Sequence, residues 1–152
     1  KKNGIRQGMV NTGDLYAFGE SKEKGPWRIG LQHPRKRGEI ATILEVEDRA
    51  VATSGNYERY FVLKGKRYAH IFDPRTGWPT QGMASVTILA DRTMEAEALA
   101  VSVFVLGPQR GLGLVNRLPG VEAIIIAEAG PEGRQLVPYL SKGLQGRVSL
   151  RF

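Results

Sequence analysis

TMEAEALAVSVFVL, Thr93–Leu106, is the stretch on which the fold class depends. It holds neither Gly nor Pro and is rich in Ala, Leu, Met and Glu, the residues that lose least on entering a helix. It predicts a mostly buried helix, with Glu95 and Glu97 near its positive N-terminal end and Gly107-Pro108 as its stop. Everything before it reads differently. Residues 8–11 and 14–18 predict two short strands around Thr12-Gly13. In residues 27–32, Trp27, Ile29 and Leu31 alternate with Arg28, Gly30 and Gln32, the period of a half-buried strand. Residues 40–46 and 50–53 follow as strands. Residues 57–63 and 67–72 predict a hairpin around Lys64-Gly65-Lys66, and 85–90 another strand. After the helix come a second, short helix over 109–118, a turn at Pro119-Gly120 and a β-branched buried strand over 121–127. The tail has turn signals and weak strand character. Many strands, then helices, then a strand indicate an α+β fold with a largely antiparallel sheet and helices on one face.

The chain has 152 residues, enough for a single domain with a sizeable core. No internal repeat, linker or low-complexity segment divides it. A hydrophobic fraction of 41% with 24% charged residues argues against disorder. The net charge of +7 is concentrated: residues 1–37 carry nine Lys/Arg against three acids. Such a patch attracts anionic partners or is a solvated surface. Aromatics do not interleave with it, so it does not favour nucleic acid. There is no cysteine, which excludes disulfides, thiolate zinc sites and a thiol nucleophile, and fits cytoplasm or periplasm equally. No apolar run approaches the ~20 residues of a membrane span. KKNGIRQGMV has no apolar signal core and no initiator methionine, so the chain is expected to begin partway into a longer polypeptide.

Four short segments could carry chemistry. HIFDPRTGWP, residues 70–79, packs a histidine, an aspartate, a threonine and turn residues between two apolar runs. Alternation puts His70 on one strand face with Tyr68 and Phe72, where it is either a hydrogen-bonded core residue or a site residue. Asp73 before Pro74 is held extended and can accept backbone N–H groups of the turn. Thr76 and Gly77 offer a hydroxyl and a backbone open to a ligand. In AVATSGNY, residues 50–57, Thr53-Ser54-Gly55 ends a strand and opens either a plain hairpin turn or a phosphate-facing one. Asn11-Thr12-Gly13-Asp14 is a tight turn with a carboxylate behind it. Glu97 either complements the helix dipole or holds a magnesium ion against a phosphate. One turn on, at position 101, stands Val.

In this order, VNTGDLYAFG, PWRIGLQHP, AVATSGNYERYF, YAHIFDPRTGWP, SVTILA, AEALAVSVFVLG and PGVEAIII resemble the C-terminal half of the ApbE family, the FAD:protein FMN transferases, from about Gly8 to Ala127. The resemblance implies a flavin-binding α+β fold related to the T-fold. It implies a Mg²⁺-dependent reaction that cleaves the FAD pyrophosphate, joins FMN through its phosphate to a Thr or Ser of an acceptor flavoprotein and releases AMP. It implies His70 as the catalytic candidate. Gly13, Asp14, Thr53, Ser54, Gly55, His70, Asp73, Thr76 and Gly77 become cofactor-binding candidates, and Glu97 the metal ligand. It implies a bacterial protein, periplasmic or inner-membrane-associated. This chain departs from the family pattern in three ways. Ala96-Glu97-Ala98-Leu99-Ala100-Val101 stands where the family has Ala-Asp-x-Leu-(Ala/Ser)-Thr, so Val101 lacks an oxygen that Ser102, ~100° around the helix, does not replace. Thr12 stands for the first glycine of Gly-Gly-Asp. The family's N-terminal half has no counterpart. The alternative is an FAD-binding homologue that no longer transfers FMN because its metal ligands have changed.

Overall fold

The Gly- and Pro-free stretch Thr93–Leu106 forms α1, in a computed structural model that describes residues 4–130 and 133–152. Lys1 and Lys2 of the basic N-terminal stretch lie outside the described residues. Gly107 ends α1 at φ +79°, a left-handed conformation that favours glycine, and its N–H donates to the Val103 carbonyl. Pro108 then opens α2, Pro108–Val115, where a missing N–H costs nothing. The expected end at Leu118 is not reached. Leu118 precedes Pro119, which disfavours helical backbone there. The chain closes instead in tight turns, Arg117 N–H to Leu114 and Leu118 N–H to Val115.

Among the described residues there are twelve strands: β1 Gly8–Asn11, β2 Leu15–Phe18, β3 Trp27–Gln32, β4 Ile40–Val46, β5 Arg49–Gly55, β6 Tyr60–Leu63, β7 Lys66–Ala69, β8 Phe72–Asp73, β9 Trp78–Pro79, β10 Met83–Ala90, β11 Glu122–Ala129 and β12 Gln135–Leu140. Six build one sheet in the order β1-β2-β5-β10-β11-β12, antiparallel throughout. The weak strand character of the tail becomes β12, paired along β11 from Ile124↔Leu140 to Ala129↔Gln135. The other strands pair as separate ribbons, β3–β4, β6–β7 and β8–β9.

Both faces of the sheet are covered. On one, Ala50 and Ala52 of β5, Val86 and Ile88 of β10 and Ala123 and Ile125 of β11 pack with Ala96, Ala100, Val103 and Phe104 of α1. Small Ala side chains on β5 and α1 let the helix sit close to the strand. α2 packs against β11. On the other face the β3–β4 ribbon lies across Leu15, Val51, Leu89 and Ile124, using Leu44 and Val46, with Leu144 of the tail beside it. β10 is buried along its whole length, so its only polar side chains are the small Ser85 and Thr87.

Two expected strands are cut short. The strand predicted from residue 57 begins at Tyr60, because Asn56 is drawn into the sheet: its N–H donates to Ala84 and its side chain to the Met83 carbonyl at 2.7 Å. The strand predicted through 67–72 breaks at His70. Ile71 dives into the core under α1, and its carbonyl accepts the Thr80 N–H.

Candidate active site

A cleft of about 710 Å³ opens where the β1–β2 turn, the end of β5, the first turns of α1 and the chain at His70 meet. Gly13, Asp14, Thr53, Ser54, Gly55, His70 and Glu97 all line it, as does Val101. The fold therefore gathers seven candidates that are spread over 85 positions of sequence. Asp73, Thr76 and Gly77 lie outside its wall.

His70 is exposed, not a core residue as one sequence reading had it. Both its backbone N–H and its Nδ1 lie 3.1 Å from the Arg59 carbonyl oxygen. A carbonyl only accepts, so Nδ1 carries the proton and the neutral ring keeps its lone pair on Nε2. That is the form able to accept a proton or orient a hydroxyl.

The next residues make the support for this histidine. The Asp73 carboxylate accepts the Arg75 backbone N–H at 2.9 Å and the Arg75 guanidinium at 2.8 and 2.6 Å. These bonds hold its pKa down at about 2. The Asp73 carbonyl accepts the N–H groups of Thr76 and Gly77, and Thr76 Oγ1 accepts the Trp78 N–H at 3.2 Å. Gly77 closes the turn at φ +71°. The polar groups of Asp-Pro-x-Thr-Gly are thus spent on the turn itself.

Thr53-Ser54-Gly55 ends a strand as expected, and a turn follows directly at residues 56–58. These three residues are the end of β5, in register with Thr87, Val86 and Ser85 of β10. β2 pairs with β5 only at Arg49–Val51, so beyond Val51 that side of β5 has no partner strand. Asn56 bonds to Ala84. The alternation of an antiparallel ladder then gives Ser54 to β10 and turns the N–H and C=O of Thr53 and Gly55 toward the cleft. The Thr53 hydroxyl shares a 2.9 Å hydrogen bond with Thr87. Gly55 is required by packing: a Cβ there would stand 2.7 Å from the Tyr57 ring. Burial, with the charge of Glu58, raises the Tyr57 pKa to about 12, so its hydroxyl remains a donor at neutral pH. Tyr57, Glu58 and Arg59 also line the cleft, and none was singled out from the sequence. The signal available was the Gly55 two residues ahead of an aromatic ring.

Across the cleft, the Asp14 pKa is raised by burial and then by the charge of Glu97. The two carboxylates therefore face a common space. Gly13, at φ +118°, places Asp14 there, and Asn11 Oδ1 accepts the Gly13 N–H. Two carboxylates beside room for phosphate and water suit Mg²⁺, which usually takes only one or two from the protein. Among the described residues no third acid or histidine is placed to form a metal-binding group with them, although Glu58 and His70 line the same cleft. Val101 faces the cleft without an oxygen, and the Ser102 hydroxyl is committed to the Ala98 carbonyl at 2.7 Å.

Comparison with known proteins accords with this arrangement. A sequence model described as the ApbE family matches residues 1–125. The FAD:protein FMN transferase of Treponema pallidum is 38% identical over 124 residues, 75% of this chain and 34% of that protein. The protein of the same name from Escherichia coli strain K12 is 33% identical over 133 residues, 86% of this chain and 38% of that one. Among solved structures, the ApbE protein of Thermotoga maritima superposes with a TM-score of 0.78 at 37% identity, covering 91% of this chain and 44% of that one. The flavin transferase ApbE of Vibrio cholerae gives 0.79 at 30% identity, covering 95% and 45%. The chain spans about a third to just under half of the length of these relatives.

Proposed function

The chain belongs to the ApbE family, and from that premise we propose that it supplies the His70-bearing part of an FAD:protein FMN transferase site. The observation that carries this reading is the convergence of His70, Asp14, Glu97 and the open end of β5 on one cleft. The substrate is FAD, and the acceptor is a Thr or Ser hydroxyl of a partner flavoprotein. His70 Nε2 takes the proton as the acceptor oxygen bonds to the FMN phosphorus, and the pyrophosphate P–O bond breaks to release AMP. The Arg59 carbonyl keeps the imidazole oriented throughout. Thr53 and Gly55 offer backbone donors along the ligand. Glu97, with Asp14, would hold Mg²⁺, which would neutralise phosphate charge. A bacterial periplasmic or inner-membrane-associated setting goes with this reading. Among the described residues no helix is long and apolar enough to cross a membrane.

The test is the intact mass of a Thr-containing acceptor flavoprotein after incubation with the full-length protein expected to contain this chain, FAD and Mg²⁺. The expected result is a gain of one FMN with AMP release, reduced by about 10²–10⁴-fold in His70→Ala, the usual contribution of a positioned acid–base group. FAD bound without AMP release, with a control transferase active on the same acceptor, would favour the non-transferring homologue.

A further inference from the structure

Gln32, Tyr57 and Glu58 are shared between the candidate active-site cleft and a second hollow of about 460 Å³. Its wall carries Arg35, Arg37, Arg67 and the buried His33. Arg35 already has partners: it donates to the Pro34 carbonyl at 2.9 Å, to Asn56 Oδ1 at 3.0 Å and to the Glu128 carboxylate. Arg37 and Arg67 have no ion-pair partner among the described residues. Arg67 lies over the Tyr60 ring, 4.2 Å from its centroid, and its Nη1 is buried without an acceptor. Burial and then the charge of Arg67 bias Arg35 against its charged form, so the guanidiniums of Arg35 and Arg67 lie near one another, with three arginines against the single carboxylate of Glu58 among the described residues in the wall of this hollow.

His33 adds a second unsatisfied donor. The N–H groups of Arg35 and Lys36 donate to its Nδ1 at 3.0 and 3.1 Å, which puts the ring proton on Nε2. Nε2 is buried and has no acceptor. On the other side of the Arg35–Arg67 pair, Lys64 and Lys66 line a further hollow, where Glu128 is held by Arg35 and Asn56. Unpaired buried donors are costly, and an array of them is relieved by an anion.

We propose that the hollow walled by Arg35, Arg37 and Arg67 is a phosphoryl-binding site, for phosphate free in solution or carried on a nucleoside monophosphate. Planar guanidiniums present forked donors that match phosphate oxygens. The small volume suits a small ligand better than a polypeptide side of an interface. Tyr57 joins the hollow to the active-site cleft, so the site would receive the adenylate released there. The choice of adenylate rests on the proposed transferase reading, whereas phosphoryl binding does not.

The experiment titrates the chain with inorganic phosphate, with AMP and with a Glu-rich peptide at constant ionic strength, following amide resonances and binding heat. Saturable shifts centred on Arg37, Tyr57 and Arg67 are expected with phosphate and AMP. Tighter binding of AMP identifies a nucleotide site, and equal affinity a phosphate site. Arg67→Gln should weaken binding at least tenfold. Should that variant unfold, the exposed Arg37→Gln provides the same reading. Absence of saturable shifts at millimolar phosphate and AMP overturns the proposal, as does undiminished affinity in the folded variants or binding of the peptide alone. A protein that binds AMP here yet transfers no FMN would overturn the transferase reading and leave the phosphoryl site standing.

Discussion

Asp73 and Asp14 are two carboxylates pushed in opposite directions, and the pH dependence of stability separates them. Asp73 is held at about 2 by Arg75, below the unfolded value of about 3.9. A depressed carboxylate stabilises the fold above the unfolded value, and that contribution is lost as pH falls toward 2. Wild-type Tm should therefore drop more steeply between pH 5 and 2 than that of Asp73→Asn; parallel curves would show that the Arg75 pair contributes nothing. Asp14 is raised by burial and by Glu97, so its charged form opposes folding at neutral pH. Asp14→Asn should raise Tm at pH 7, with the gain fading below about pH 4, where the wild-type carboxyl is protonated in both states. An unchanged or lowered Tm at pH 7 would mean that the two carboxylates do not strain the unliganded site. The candidacy of His70 was legible from its loop, but its exposure was not. Whether Tyr68, His70 and Phe72 share a buried face depends on the strand continuing, and the burial of Ile71 breaks it.

At the scale of the element, α1 serves two ends. Val103 and Phe104 are fully buried and fasten it to β5 and β10, while Glu97 and Val101 show their side chains to the cleft. The one-turn spacing of positions 97 and 101 makes a direct prediction. Val101→Thr places a hydroxyl on the same helix face as Glu97 and should tighten Mg²⁺ binding roughly tenfold, the ~1.5 kcal/mol of a contact to a charged group. Ser102→Ala should leave it unchanged, since that hydroxyl is bound within the helix. Calorimetric titration with Mg²⁺ gives the answer; equal affinities for wild type and Val101→Thr would place the ion away from α1. The helix itself was legible end to end, because its propensity, its Gly107 stop and Pro108 all agree. The end of β5 was legible as a strand end before a turn, but its open edge was not: only the stop of the β2 pairing at Val51 leaves Thr53 and Gly55 facing the cleft.

For the whole molecule, the sheet is stiff at its centre and its attached ribbons are not. β10 is buried throughout and flanked by β5 and β11, whereas every residue of β6 is exposed and β6–β7 pairs with no other strand. Amide hydrogen exchange should be slowest in β5, β10 and β11 and faster by orders of magnitude in β6 and β7, whose opening uncovers little apolar surface. Equal protection in β6–β7 would mean that the ribbon opens only with global unfolding. Because Tyr60 and Arg67 belong to this ribbon, such mobility would also act on the second hollow.

The sequence by itself determined the kind of elements and their order. Helix propensity, strand alternation and Gly-Pro punctuation act within a few residues of each other, so α1, the strand β10 and the α+β class follow from local terms. It also determined the family, through motifs whose order survives in one dimension. Tertiary structure alone decided that β3–β4 crosses the second face of the sheet, that Asn56 enters the ladder at Met83 and Ala84, and that Asp14 and Glu97 share a cleft with His70. Those outcomes depend on which apolar faces and unpaired strand edges find one another after the chain closes long loops. Contacts between residues so far apart leave no periodicity for a sequence to show.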